Sequence, residues 1–236
     1  MYDAARGDKV RADQEVDLGL TITIGTKNYK VIFANANLTA TGLAENETDY
    51  GDYCAWGATE PWYSSLDNSL SDCNKWTATW DKSDGYIQTN CPSYDNDSEY
   101  VEDGVLKKQY DPARQILGGD WQLPTKKIWV NLKEACRTSN YSAYCTPIDG
   151  CKGCQGKRMT GNIQYIFLPA AGHIAQTWFN SYGSKGYYWS GTAYADNLAW
   201  FLGIDPDKSF NSAIDAQVWA ARRYGFSVRP VRLVEE

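Results

Sequence analysis

Both ends of this chain carry strand chemistry, and two short stretches between them carry clear helix caps. The fold is therefore expected to be organised around antiparallel strands. Near the start, Val16-Asp-Leu-Gly-Leu-Thr-Ile-Thr-Ile24 alternates, Gly25-Thr-Lys-Asn28 supplies a turn, and Tyr29-Lys-Val-Ile-Phe33 resumes the strand. That succession is a hairpin signature. Near the end, Tyr187–Trp189 is aromatic and β-prone, and Phe226–Val231 alternates Phe, Val and Val with Ser and Arg. One face of that last segment packs and the other is wet. The first and last strands, Val16–Ile24 and Phe226–Val231, are expected to pair in one sheet.

Two helices are marked by their caps. Asp111-Pro112 offers an N-cap followed by proline at the first helical position, and Gly118-Gly119 stops the helix, giving residues 112–117. Thr125 caps a second helix over 126–136, whose apolar residues Ile128, Trp129, Leu132, Ala135 and Cys136 share one face. Further strands are expected at Asp52–Trp56, Gln164–Leu168 and Ala199–Ile204. Strands, then two helices, then strands gives an α+β class with an antiparallel sheet and long irregular loops. The economical division is a tail over 1–15 and one domain over 16–232, with a long polar insert over 64–107.

Composition narrows the function. Aromatic residues make up 14% of the chain, with 10 Trp and 17 Tyr against 2 Met and 1 His. Tyr and Trp give large rigid contact area at low entropic cost, which suits both a binding surface and a β-rich core. A net charge of −6 argues against sequence-independent nucleic-acid binding, which needs a basic field. No apolar run reaches the length of a membrane-spanning helix, so no membrane insertion is expected. Met1–Glu15 is polar and charged and does not read as a secretory leader.

Six segments occur in a suggestive order: Val16-Asp-Leu-Gly-Leu20, Gly51-Asp-Tyr-Cys-Ala-Trp-Gly57, Trp121-Gln-Leu-Pro-Thr125, Ile166-Phe-Leu-Pro-Ala-Ala-Gly172, Gly186-Tyr-Tyr-Trp-Ser190 and Gly225-Phe-Ser-Val-Arg-Pro-Val-Arg232. The series resembles the large paralogous domain family of Bacteroidetes-type bacteria and their phages, the Fib_succ_major type. The resemblance implies a C-type-lectin-like fold, related to that of formylglycine-generating enzymes. It extends to the variable proteins of diversity-generating retroelements, phage tropism determinants among them. In those, codons before the final strand are mutagenised to vary ligand specificity. Thr21–Phe33, Ser64–Lys107 and the extra cysteines over 145–156 depart from the family pattern.

Metal and catalytic motifs are weak. Among seven cysteines, Cys136, Cys145, Cys151 and Cys154 contain one Cys-x-x-Cys pair. Zinc ligation, local disulfides and reduced thiols all remain open for them. Asp95-Asn-Asp-Ser-Glu99 begins like a calcium loop but lacks its glycine and its terminal glutamate, so a solvated acidic loop is expected. Glu60-Pro61-Trp62 begins a calcium-lectin motif and fails at its third ligand. No cofactor is therefore expected, with zinc or calcium the alternatives. His173 is the only imidazole and is expected to pack structurally; no Gly-x-Ser-x-Gly elbow occurs. No cysteine follows Cys154, which argues against formylglycine-generating activity.

The segment 193–224 lies inside this frame and obeys no single pattern. Phe210, Ile214, Val218 and Ala221 recur near helical spacing, which fits a core helix. The family resemblance instead implies an irregular strand–loop run with side chains on a shallow binding face. It places Ala199, Leu202 and Ile204 inside and Trp200, Phe201 and Gly203 outside. The expected ligand-binding residues are Tyr194, Leu198, Trp200, Phe201, Gly203, Asp205, Phe210, Ser212, Ile214, Ala216, Trp219 and Tyr224. Exposed aromatics on a rigid scaffold mark interaction sites. The expectation is a non-enzymatic protein of a phage virion or bacterial cell surface that recognises a protein or glycan receptor. A carbohydrate-active or formylglycine-generating-like enzyme, or a structural fimbrial or adhesin subunit, is the alternative.

Overall fold

The computed structural model describes residues 7–61, 63–64, 97–135, 137–143, 154–161, 164–175, 178–206 and 214–236. For residues 63–64, 137–143, 154–155, 178 and 214 only the backbone is described. The alternating first segment forms β1 (Glu15–Ile24), which turns back into β2 (Lys27–Ala34) through Gly25-Thr26. Gly25 takes a φ of 60° at the first turn position, a conformation a two-residue hairpin loop assigns to glycine. Val16, Leu18, Leu20 and Ile22 are buried while their neighbours are not, so the period of two translates directly into one packed face.

Four short strands follow as two small ladders: β3 (Leu38–Thr39) with β4 (Gly42–Leu43), and β5 (Asp52–Tyr53) with β6 (Tyr63–Ser64). The end of the expected long insert is ordered. It holds α1 (Asp97–Tyr100) and the small hairpin β7 (Val101–Glu102) and β8 (Val105–Leu106); residues 65–96 lie outside the described residues. The two cap-defined helices are present as α2 (Pro112–Leu117) and α3 (Lys126–Ala135). The Asp111 carboxylate accepts from the N–H groups of Ala113 at 2.9 Å and Arg114 at 3.3 Å. The Thr125 hydroxyl accepts from the N–H of Ile128 at 3.3 Å. Ile128, Trp129 and Leu132 are buried, whereas Ala135, at the helix end, is exposed.

The second half is antiparallel throughout its named sheets. β9 (Arg137–Ala143), β10 (Cys154–Thr160) and β11 (Tyr165–Pro169) form one sheet, and β12 (His173–Ala175) with β13 (Trp178–Asn180) a second. β14 (Gly186–Ala195), β15 (Leu198–Ile204) and β16 (Ile214–Ala221) continue through β8 and β7 into a five-stranded sheet. β17 (Val231–Glu235) completes the sheet β1-β2-β17. Mostly antiparallel strands with few helices place the described residues in the α+β or mostly-β class.

The pairing of the chain ends differs from expectation. β1 and β17 share a sheet, but both pair with β2, which lies between them. Phe226 and Ser227 do not belong to that ladder. Phe226 exchanges backbone hydrogen bonds with Cys54, and Ser227 bridges Tyr188 in β14. Pro230 has no N–H to donate but accepts from the Ala34 N–H at 2.9 Å, and the ladder with β2 begins at Val231.

Three apolar clusters result among the described residues, two of them large and a small one of Tyr53, Ala171 and Ile174. One of the large clusters joins Leu18, Leu20, Phe33, Ile128, Trp129, Leu132, Leu202, Ile204 and Val231, with α3 packed against both the β1-β2-β17 sheet and the five-stranded sheet. The other joins Trp56, Trp121, Trp189, Phe201, Phe226 and Val228. Both faces of the β14–β15–β16 sheet are thus packed along part of their length. Arg229 is fully buried, and burial lowers its pKa to about 10. Its guanidinium donates to Asn37 Oδ1 at 2.9 Å and to the carbonyls of Asn35 at 3.1 Å and Phe167 at 2.9 Å. This one side chain ties the C-terminal segment to β2's exit and to β11.

Candidate functional site: an aromatic cluster on paired strands

In its described parts, segment 193–224 is extended rather than helical, two strands and the end of a third joined with register shifts. The end of β14, the Asp196-Asn197 turn, β15 and β16 form an antiparallel three-strand ribbon. Asn197 adopts a φ of 54°, a conformation asparagine tolerates better than most residues. The helical spacing of Phe210, Ile214, Val218 and Ala221 does not produce a helix: Ile214–Ala221 is extended and hydrogen-bonded to β15.

Register then decides which aromatics meet. Trp200 lies opposite Trp219 in the β15–β16 pair. The Tyr194 ring stacks on Trp219, with centroids 5.2 Å apart and planes within 5°, and meets Trp200 edge-on at 4.7 Å. Tyr194 and Trp219 are 46% and 50% exposed, while Trp200 is half-buried. The ammonium of Lys126, first residue of α3, sits 3.2 Å from the Trp200 ring centroid, a cation–π contact. The α3 N-terminus is fixed against this ribbon because the Lys126 N–H donates to the Thr192 hydroxyl at 2.9 Å. Aromatic pairs of this geometry contribute roughly 0.5–1.5 kcal/mol beyond area burial. The three rings therefore hold one another in place while two stay open to water.

The other expected site residues separate from this cluster. Phe201 was expected outside but is buried at 8% exposure, because it packs on the opposite sheet face against Tyr187 at 5.6 Å and Phe226 at 5.0 Å. Ala216 was expected at the site and is also buried, within the cluster formed with α3. Gly203 and Asp205 are half-buried toward the end of β15. Tyr224 is half-buried on the Phe201 side, 6.2 Å from Phe226. Leu198 is half-buried and gives its carbonyl to Arg222. Ile214 is the first residue of β16 and only its backbone is described. Phe210 and Ser212 lie outside the described residues. The expected single face of these residues is thus divided by the pleat into two.

Sequence patterning missed three residues that shape the cluster: Lys126, Arg222 and Asp97. Arg222 is fully buried and donates to the carbonyls of Leu198 at 3.2 Å and Ala195 at 3.0 Å, bracing the β14–β15 turn. Its guanidinium also lies over Trp56 at 4.4 Å and pairs with Asp97. Asp97, from the calcium-like stretch, thereby joins the end of the 64–107 insert to the ribbon. No local pattern announces a contact across 125 positions.

His173 packs against Tyr187, with ring centroids 4.4 Å apart, and Phe226, at 5.9 Å. Burial, reinforced by Lys185, lowers its pKa to about 4. As the only imidazole, it should give one isolated NMR titration with a midpoint near 4. The fold favours the neutral ring. Its stabilising contribution is complete above pH 6.5 and is lost as pH falls through the range between 6.5 and about 4. Allowing for partial exposure, the loss is roughly 2 kcal/mol, seen as the difference between wild-type and His173→Phe stability curves. A titration midpoint near 6.5 would contradict this packing.

Burial, with Asp52 and Asp111 nearby, pushes the Cys54 thiol well above its ordinary pKa, so it stays protonated and unreactive. Cys136, Cys145 and Cys151 lie outside the described residues, and Cys154 is described by backbone alone. Among the described residues, no group of three or more His, Cys, Asp or Glu is placed to hold a metal ion. Among them too, no helix is long and apolar enough to cross a membrane. Compared with known proteins, the chain matches no family model, no curated protein and no solved structure.

Proposed function

We propose that this chain is a non-enzymatic recognition protein with a C-type-lectin-like fold that binds a receptor through the Tyr194–Trp200–Trp219 cluster. The observation that carries this reading is the pair of half-exposed, mutually stacked rings on strands whose reverse face is core. Large apolar side chains left in water at fixed positions form interaction patches, and Trp and Tyr dominate interface hot spots. The ordered series of six segments supports a retroelement-diversified protein of a phage tail or bacterial surface, facing a protein or glycan receptor on a target cell.

Two experiments test the reading at different levels. Labelled protein applied to a panel of bacterial cells is expected to bind at least one strain, and Tyr194→Ser/Trp219→Ser to lose that binding. Equal labelling by the double variant would overturn the site. The retroelement origin predicts a second copy of the coding segment for residues 193–224 near the gene, differing at adenines of the copy. A gene neighbourhood without such a repeat would remove that origin and leave the receptor-binding reading intact.

A further inference from the structure

We infer that the cluster takes an acidic sugar: a pyranose lies on the Tyr194–Trp219 stack with its carboxylate directed to the Lys126 ammonium. This inference rests on the binding face proposed above and names its ligand class. Two features of the cluster select that chemistry. First, each of the two stacked rings covers one face of the other and is still about half exposed, which leaves aromatic surface in water for a ligand to lie on. Aromatic faces carry negative quadrupole charge. The C–H bonds on one side of a pyranose are weakly positive and fit such a face, while its hydroxyls remain in water. A flat stack of this kind can receive a sugar ring without taking polar groups out of water, which would require a partner for each.

Second, the chain has a net charge of −6, yet a cation lies over Trp200, the ring that meets Tyr194 of this stack edge-on. Among the described residues no carboxylate pairs with Lys126; its contact is the Trp200 ring. Lys30 and Lys27, by contrast, are engaged by Asp17 and Glu235. A cation held over an indole with its remaining N–H donors free is placed to receive an anionic group, and charge-assisted hydrogen bonds are the stronger kind. The Lys126 backbone is also fixed, since its N–H is bonded to Thr192 and it begins α3. The ligand class is therefore a saccharide bearing a carboxylate, of uronic- or sialic-acid type, held without a metal ion.

The test uses the full chain on an array of neutral, uronic-acid-bearing and sialic-acid-bearing oligosaccharides. Acidic glycans should bind about tenfold or more over neutral ones, the scale of one charge-assisted contact. Lys126→Met should reduce that preference to near unity with a melting temperature within a few degrees of wild type, and Trp219→Ser should abolish binding to every sugar. Absence of binding to any sugar overturns the inference, as does equal binding of neutral and acidic sugars with no effect of Lys126→Met. Failure here remains separable from failure of the recognition surface. Cell binding that is lost in Tyr194→Ser/Trp219→Ser, survives periodate and disappears after protease treatment would keep the surface and replace the sugar with a protein. Cell binding unaffected by the double substitution would remove both.

Discussion

Trp189→Ala is expected to cost about 3–5 kcal/mol of stability, the usual range for emptying a buried tryptophan site. Its ring is essentially inaccessible to water and stacks on Phe226 with centroids 4.2 Å apart. Its indole N–H donates to the Cys54 carbonyl at 2.8 Å, and its own carbonyl accepts from Trp129 Nε1 at 3.3 Å. The residue thus connects β14 to the segment following β5, to the bridge at Phe226 and to α3. Truncation removes apolar contacts and a buried hydrogen bond together, and leaves the Cys54 carbonyl with the Phe226 N–H as its donor. Total stabilities of domains lie near 5–15 kcal/mol, so this single change should remove roughly a fifth or more of the margin. Trp189→Phe keeps much of the ring volume and should cost visibly less. Chemical denaturation reads both, and an unchanged midpoint for Trp189→Ala would show that this frame is wrongly drawn.

The second large effect is on binding. Tyr194→Ala/Trp219→Ala should weaken receptor binding by at least 30-fold, since a single hot-spot truncation costs about 2 kcal/mol or more. The fold should change far less. Both rings are about half exposed, and surface substitutions usually stay within about 0.5 kcal/mol apiece. Losing the Tyr194–Trp219 stack adds a modest further loss of roughly 0.5–1.5 kcal/mol. Binding loss greatly exceeding stability loss separates a recognition surface from a packed ribbon.

What could be seen in the residues beforehand follows from how local each signal is. The β1–β2 hairpin was legible because alternation and a Gly-containing turn act over neighbouring positions. The helices α2 and α3 were legible because Asp111, Pro112, Gly118 and Thr125 carry capping chemistry within one turn of each boundary. β16 was ambiguous: Ile214, Val218 and Ala221 satisfy a helical spacing, and only pairing with β15 makes them a strand. The burial of Phe201 and Ala216 was misjudged for a related reason. α3 covers one face of the ribbon and the Trp189–Phe226 cluster covers the other, so alternation no longer reports which face is wet. A register shift between Phe201 and Gly203 further offsets β15 from β16. The cluster itself contains Tyr194, Trp200 and Trp219 as expected, but its cation comes from α3 and its brace, Arg222, reaches Asp97. Those contacts arise from tertiary packing alone.

The most direct measurement compares Trp219→Ala with Phe201→Ala, two aromatic truncations on opposite faces of adjacent strands. Thermal melts and cell-binding curves would be recorded for both. Trp219→Ala should melt within a few degrees of wild type and lose binding, whereas Phe201→Ala, emptied from the core, should lose about 3–5 kcal/mol of stability. A Trp219→Ala protein that unfolds as readily as Phe201→Ala, or that folds and binds like wild type, would contradict the recognition surface.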